Sequence, residues 1–293
     1  MNKYKISATV IFYNPNEEVY SNIKSYINNV DKLYIIDNSD SLNEEIKNKL
    51  LNMYKNIEYI FNGENLGIAT ALNIACDKAI EDGYDWILTM DQDSSFLKFN
   101  DYLKCLDKLK EPENTAIIAA NTMWHAKDNI PLNPSFESEE NFLVITSANL
   151  LNLKLFNEIG RFEDKLFIDM VDYDYCMKAN TLKYKIIYFK DILVEHSLGS
   201  VFQRRNIFTG KLRTKIEHSA QRNYYITRNY FYTWKQYNKL FPKEFNLLKT
   251  INIMLIHNIT KILLYEDNKM QKITSKFLGL WHFIINKFGR YDI

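Results

Sequence analysis

Residues 6–90 alternate short apolar runs with longer amphipathic stretches, and few folds accommodate that pattern. Ile6–Tyr13, Leu33–Ile36, Ile57–Phe61 and Trp86–Met90 read as strands. Between them, a stretch opening at Pro15 and reaching about Ile27, then Leu42–Tyr54 and Ile68–Glu81, read as helices. Pro15 suits a first helical turn, where its missing N–H costs nothing. Ile68, Ala71, Leu72, Ala75, Ala79 and Ile80 form one apolar face at helical spacing. Strands joined through helices of this length are βαβ units, which predicts an α/β fold with a mostly parallel sheet and right-handed crossovers.

Beyond residue 93 the rhythm loosens. Tyr102–Leu109 reads as a helix, Ala116–Ala120 as a strand and residues 121–141 as a polar loop. Phe142–Thr146 reads as a strand and Leu153–Ile159 as a short helix stopped by Gly160. Phe167–Thr181 carries an acidic cluster and then a helix, and Lys185–Phe189 and Ile192–Glu195 read as short strands. From about Gln203 the expectation is mainly helical, which divides the chain into an α/β domain at 1–200 and a basic region at 201–293. The net charge of +1 conceals this division: residues 201–293 hold 17 Lys and Arg against 5 Asp and Glu, leaving 20 against 31 in residues 1–200. A basic segment on an acidic body suits a polyanionic partner, or else a solvated face. Cys76, Cys105 and Cys176 show no metal-like spacing and are expected to be buried free thiols in a reducing compartment. The N-terminus leads into a strand without a signal-peptide pattern, and no apolar run approaches the ~18 residues of a membrane span.

Ligands of open α/β sheets bind beyond the carboxyl ends of the strands. Five clusters are expected to meet there: Phe12-Tyr13-Asn14, Asp37-Asn38-Ser39, Asn65-Leu66-Gly67, Asp91-Gln92-Asp93 and Phe167–Asp174, with Glu195-His196-Ser197-Leu198-Gly199 shortly after. Asp91 and Asp93 offer the hard oxygen ligands that suit Mg²⁺ beside a phosphorylated substrate. Acidic pairs after strands also serve as turn and capping residues. In order and spacing the set resembles the inverting family-2 glycosyltransferases of GT-A fold (Rossmann-like, here with a C-terminal helical extension), and among them rhamnosyltransferase-type enzymes.

The resemblance implies roles. Tyr13, Asn14, Asp37 and Asn38 would hold the nucleotide, and Asn65 and Gly67 would place backbone beside the donor. Asp91 would bond the ribose or donor sugar, while Asp93 and His196 would hold Mg²⁺ or Mn²⁺. Asp172 matches the general base, although the family's Glu-Asp pair is Val171-Asp172 here, leaving Asp169 and Asp174 as acidic neighbours or acceptor contacts. Apart from the resemblance, the guanidinium fork binds two oxygens, so one of Arg222 and Arg228 is expected to clamp the donor diphosphate or the acceptor's lipid pyrophosphate, or else to pair with the acidic body.

The implied activity is metal-dependent transfer of a hexose, best guessed as L-rhamnose from dTDP-L-rhamnose, in polysaccharide biosynthesis of the cell envelope. The donor is of dTDP or UDP type, and the acceptor is a surface glycan or a polyprenyl-pyrophosphate-linked sugar. The expected location is cytoplasmic, extending to the inner face of the membrane. The processive Gln-x-x-Arg-Trp signature is absent, which implies one sugar per encounter. Lys-interrupted apolar stretches in 245–290 fit helices that meet an anionic membrane, a second subunit or the catalytic domain.

Two other readings compete. Asp91-Gln92-Asp93-Ser94-Ser95 loosely resembles the haloacid-dehalogenase phosphatase motif, but that nucleophile usually follows the first strand of the core. A non-catalytic glycan-assembly protein would bind nucleotide without turnover. No nucleic-acid module accompanies the basic region, so no nucleic-acid partner is expected.

Overall fold

The computed structural model describes residues 3–123, 135–196, 201–205, 210 and 212–292. The chain forms two compact units: Met1–Glu163 with Asp172–Ser197, and Asp164–Val171 with Leu198–Ile293. The short segment Asp164–Val171, expected in the α/β domain, therefore clusters with the C-terminal unit.

The first unit is built on a sheet. Its strands are β1 (Ile6–Phe12), β2 (Lys32–Asp37), β3 (Ile57–Phe61), β4 (Trp86–Asp91), β5 (Ser94–Phe96), β6 (Thr115–Met123), β7 (Glu139–Glu140), β8 (Asn149–Asn152) and β9 (Lys185–His196). Among the described residues they run β3-β2-β1-β4-β8-β6-β9-β5, with β7 also on β9. β3, β2, β1 and β4 are mutually parallel, and β8 enters antiparallel beside β4. Every residue of β1 is buried, as are all of β2 after Lys32 and all of β4 before Asp91. Strands covered on both faces need continuous apolar sequence, and ISATVIF and KLYIID supply it. Truncating Ile35 to Ala at the centre of this core is expected to cost about 2–5 kcal/mol.

Helices α1 (Glu18–Lys24), α2 (Glu44–Met53), α3 (Ile68–Glu81), α4 (Phe99–Asp107), α5 (Leu153–Ile159) and α6 (Val171–Thr181) complete this unit, apart from Val171 itself. Side chains cap them locally: Asn43 accepts the Ile46 N–H at 3.1 Å, and Asn152 accepts that of Lys154 at 3.1 Å. α3 buries Ala69, Ala71, Leu72, Ala75, Cys76 and Ala79, mostly small residues that let a helix pack close to the sheet. All three cysteines are buried free thiols, and burial pushes those of Cys105 and Cys176 up to about 12.

The sequence reading is corrected at several points. The strand expected at Phe142–Thr146 lies instead at β8, and β5 joins the sheet unannounced. The two strands expected in 185–195 are one, with a register shift against β6 between Ala120 and Asn121. The region after Gln203, expected to be helical, begins with a hairpin of β10 (Val201–Arg205) and β11 (Leu212–Ile216). The loop expected at 121–141 falls largely outside the described residues.

The second unit continues with α7 (Ala220–Tyr237), α8 (Leu247–Ile251), α9 (Asn258–Tyr265) and α10 (Lys269–Ile284). A π-helical turn, Asn252–His257, joins α8 to α9 into one rod. Gly279 lets α10 approach α7, since a Cβ there would meet the Tyr224 carbonyl oxygen at 2.5 Å. The interior mixes aromatic side chains with polar and charged ones. Arg228, Asn229, Thr227, Thr233, Lys272 and Lys276 are all buried, beside Tyr224 and Phe231. Lys276 donates to Thr227 Oγ1 at 2.9 Å, while Lys272 pairs with Glu217 and Glu266.

Candidate active site

β1 lies between β2 and β4, so its carboxyl end opens at the point where the strand order reverses. Register places Phe12 beside Asp37 and Ile11 beside Asp91, so the acidic ends of β2 and β4 flank the loop that leaves β1. That loop is latched at two points: the Tyr13 N–H donates to Gln92 Oε1 at 2.9 Å, and Gln92 Nε2 donates to the Tyr13 carbonyl at 3.2 Å. Asn14 adopts a left-handed φ of 47°, and its N–H donates to Ser39 Oγ at 2.8 Å.

Asp37 is fully buried. Its carboxylate receives the Ser39 N–H at 2.9 Å and the Tyr59 hydroxyl at 2.6 Å, so it fixes the turn that presents Ser39 to Asn14. Asn38 is likewise internal: it donates to the Gly67 carbonyl at 3.1 Å and accepts from Asn62 at 2.8 Å. Asn65 Oδ1 accepts the Gly67 N–H at 2.9 Å, and Gly67 opens α3 at φ 85°, a conformation that a side chain would strain. The Asn-Leu-Gly segment is thus tied to the Asp-Asn-Ser turn through Asn38.

Beyond β4, the chain turns at Asp91-Gln92-Asp93 into β5, which pairs with β9 so that Ser94 faces His196. Asp91, Asp93 and His196 each offer a ligand atom, all within 4.8 Å of one another. Asp91, expected on the ribose or donor sugar, is therefore a third candidate metal ligand. Asp93 Oδ1 is buried without a hydrogen-bond partner and lies 3.5 Å from His196 Nδ1. A carboxylate oxygen left in that state fits a cation, and oxygen with imidazole is a donor set open to Mg²⁺ or Mn²⁺. Ser94 Oγ lies 2.7 Å from His196 Nδ1 and accepts from Ser147 Oγ at 2.9 Å. Ser147 carries no signal in the sequence, where an isolated serine stands beside no motif, and Gln92 and Ser94 are visible only as parts of Asp-Gln-Asp-Ser.

Asp172 stands half-buried in the first turn of α6, where the helix dipole favours a carboxylate, and its Oδ1 accepts the Tyr173 N–H at 2.9 Å. Asp174 departs from its expected role as an acceptor contact: it is buried and paired with Lys178 at 2.8 Å. Ser197, Leu198 and Gly199 lie outside the described residues.

In the helical unit, Asp169 pairs with the half-exposed Arg222 at 3.1 Å. Burial pushes the Asp169 carboxyl above the usual carboxylate range, and Arg222 draws it part of the way back. Its Oδ2 is buried without a hydrogen-bond partner. Arg228 corrects the expectation of a diphosphate clamp. It is fully buried, and its guanidinium donates to the carbonyls of Lys165, Leu166 and Gly289, to the Tyr224 hydroxyl and to Asn229 Oδ1. Asn229 Nδ2 in turn donates to the carbonyls of Leu166, Ile168 and Asp169 at 2.7–3.0 Å. Together they hold a strained turn in which Phe167, Asp169 and Met170 all have φ near +65° (64°, 63° and 66°).

The profile of glycosyl transferase family 2 matches residues 7–165, more than half of the chain. The chain belongs to glycosyl transferase family 2. The dTDP-rhamnosyl transferase RfbF of Shigella flexneri is 25% identical over 98% of this chain and 98% of its own. Among solved structures, the Pyrobaculum calidifontis mannosyltransferase PcManGT, in complex with GDP-Man and Mn²⁺, aligns over 96% of this chain and 75% of its own at 10% identity and TM-score 0.59. GalNAc-T7, crystallised with UDP, GalNAc and Mn²⁺, aligns over 86% of this chain at 14% identity and TM-score 0.57, and this chain spans 55% of its length. These likenesses establish the GT-A architecture of the transferase, a curled and mostly parallel sheet with C-terminal helices. Family membership, with the Asp-Gln-Asp turn after the fourth strand rather than the first, removes the phosphatase reading.

Proposed function

We propose that the transferase moves L-rhamnose from dTDP-L-rhamnose to a hydroxyl of a surface-glycan or lipid-linked acceptor, on the cytoplasmic side of the envelope. The observation that carries transfer chemistry is the convergence of Asp91, Asp93 and His196 at the carboxyl end of β4. Whole-length similarity to a dTDP-rhamnosyl transferase supports the choice of sugar. Tyr13 and Asn14, on the loop latched by Gln92 and braced through Asp37 and Ser39, hold base and ribose. Asn38, Asn65 and Gly67 set the backbone beside the donor. Asp91, Asp93 and His196 would hold a divalent cation, which would supply positive charge against the negative charge of the departing diphosphate.

Asp172 accepts the proton of the acceptor hydroxyl as that oxygen bonds to the anomeric carbon. The bond from that carbon to the diphosphate oxygen breaks on the opposite face, so configuration inverts and the nucleoside diphosphate leaves. Asp169, with one oxygen unshared, meets the acceptor, and Arg222 meets either phosphate or Asp169 alone.

Thermal unfolding with a panel of nucleoside diphosphates and nucleotide sugars, with and without Mn²⁺, tests the reading. A ligand bound to the native state raises the transition temperature. Metal-dependent stabilisation by dTDP species, lost in Asp93→Ala, is the expected result. Stabilisation by UDP or GDP species alone would remove the dTDP assignment, and silence across the panel would remove nucleotide-sugar transfer.

A further inference from the structure

α10 is turned inside out. Its buried positions are Lys272, Ser275, Lys276, Gly279 and His282. Its outward positions include Met270, Phe277, Trp281 and Ile284, with Trp281 56% exposed. At helical spacing, Met270, Phe277, Trp281 and Ile284 share one face. The α8–α9 rod buries Thr250, Met254 and Ile262 but likewise leaves Leu248, Ile256, Leu263 and Leu264 outward, Leu248 at 77%. A water-soluble helix normally buries its apolar stripe. Two neighbouring helices that expose theirs require a different surrounding.

We infer that the outward faces of α8–α9 and α10 dock on an anionic lipid surface, with both helices lying in the interface. The rod Leu247–Tyr265, 19 residues, is long and apolar enough to cross a membrane by length and composition, which corrects the expectation that no segment qualifies. Asn252, His257, Asn258 and Lys261 interrupt it, and one face is occupied by burial within the protein, so lying in the plane fits better than spanning. Exposed cations stand at the helix ends: Lys243 and Lys249 near the start of α8, Lys269 at the start of α10, and Lys287 and Arg290 after its end. Apolar faces bounded by cations, in a region with 17 Lys and Arg against 5 Asp and Glu, complement anionic headgroups. A second copy fits less well, because a two-fold interface would set this basic region against itself. The inference is independent of the donor reading: vesicle binding needs no nucleotide, and nucleotide stabilisation needs no vesicle.

The test is sedimentation of the full chain with vesicles of phosphatidylcholine, with and without phosphatidylglycerol. The chain is expected to sediment with the anionic vesicles and to be released by salt. Phe277→Ser, Trp281→Ser and Ile284→Ser combined should weaken binding at least about tenfold, while the thermal transition and the nucleotide response persist because the three side chains are exposed. Lys269→Glu with Lys287→Glu should abolish the preference for anionic lipid. The proposal is overturned if the chain ignores both vesicles, if the triple variant binds undiminished, or if the chain is a dimer in solution that the triple variant dissociates.

Discussion

In the sheet unit, Val10, Ile35 and Leu88 fill the interior and carboxylates stand at strand ends; in the helical unit, Arg228, Lys272 and Lys276 are buried in an interior shared with aromatic side chains, while Phe277 and Trp281 face outward. The two arrangements depend on different forces. Apolar burial is non-directional and tolerates volume-conserving exchange. A buried polar network holds only while each donor and acceptor finds its partner. The sheet unit can therefore spare its polar edge for chemistry, whereas Arg228, Asn229, Lys272 and Lys276 inside the helical unit are structural.

If that contrast is right, substitutions should separate activity from stability. The largest effect belongs to Asp172→Asn: transfer should fall by roughly 10²–10⁴-fold while metal-dependent nucleotide stabilisation persists. Full turnover by the variant would end the assignment of the base. Asp93→Ala should abolish the metal-dependent part of the nucleotide-induced thermal shift, with little change in the ligand-free transition; a large drop in the ligand-free protein would make this carboxylate structural. Asn229→Ala tests the other half. Losing three hydrogen bonds to the turn at 166–169 should cost about 2–4 kcal/mol in chemical denaturation, and an unchanged midpoint would break the contrast.

Lys276→Met should stabilise the chain by about 1–3 kcal/mol near neutrality, because a buried ammonium gives way to an apolar side chain. Burial holds Lys276 down at about 8, against 10.5 ordinarily. Between those values the unfolded chain binds the extra proton, so stability rises with pH through that window and the cost is fully present below it. The variant should flatten that rise. The smallest expected effect concerns His218, which burial and then Arg222 and Lys261 hold down at about 4, against 6.5. Its contribution is complete above pH 6.5 and is lost as pH falls towards 4, on the order of 1 kcal/mol after solvent screening. His218→Gln should soften this acid limb in a pH series of thermal transitions.

The parallel half of the sheet was legible because buried strands such as Ile6–Phe12 and Trp86–Asp91 must be continuous apolar runs. β8 was not, since Asn149-Leu150-Leu151-Asn152 is too short to distinguish from the entry to the helix that follows. The hairpin Val201–Arg205 and Leu212–Ile216 was hidden by its Arg and Lys. Asp91, Asp93 and His196 could be read from their positions at strand ends, but Ser94 and Ser147 meet only through pairings distant in sequence. α10 shows a further limit. Periodicity reveals that a helix has two faces without saying which one is inside, and here the polar one is.

The turn held by Asn229 also bears on how this enzyme can evolve. Residues 164–171 belong to the helical unit although the chain reaches them before the sheet unit is complete. Recombination at residue 200 would deliver Phe167, Asp169 and Met170 in left-handed conformations without the amide and guanidinium that hold them. The helical unit is therefore not a detachable module to be exchanged among relatives. Its inheritance is bound to that of the sheet unit, and chimaeras should fold only when residues 164–171 travel with α7.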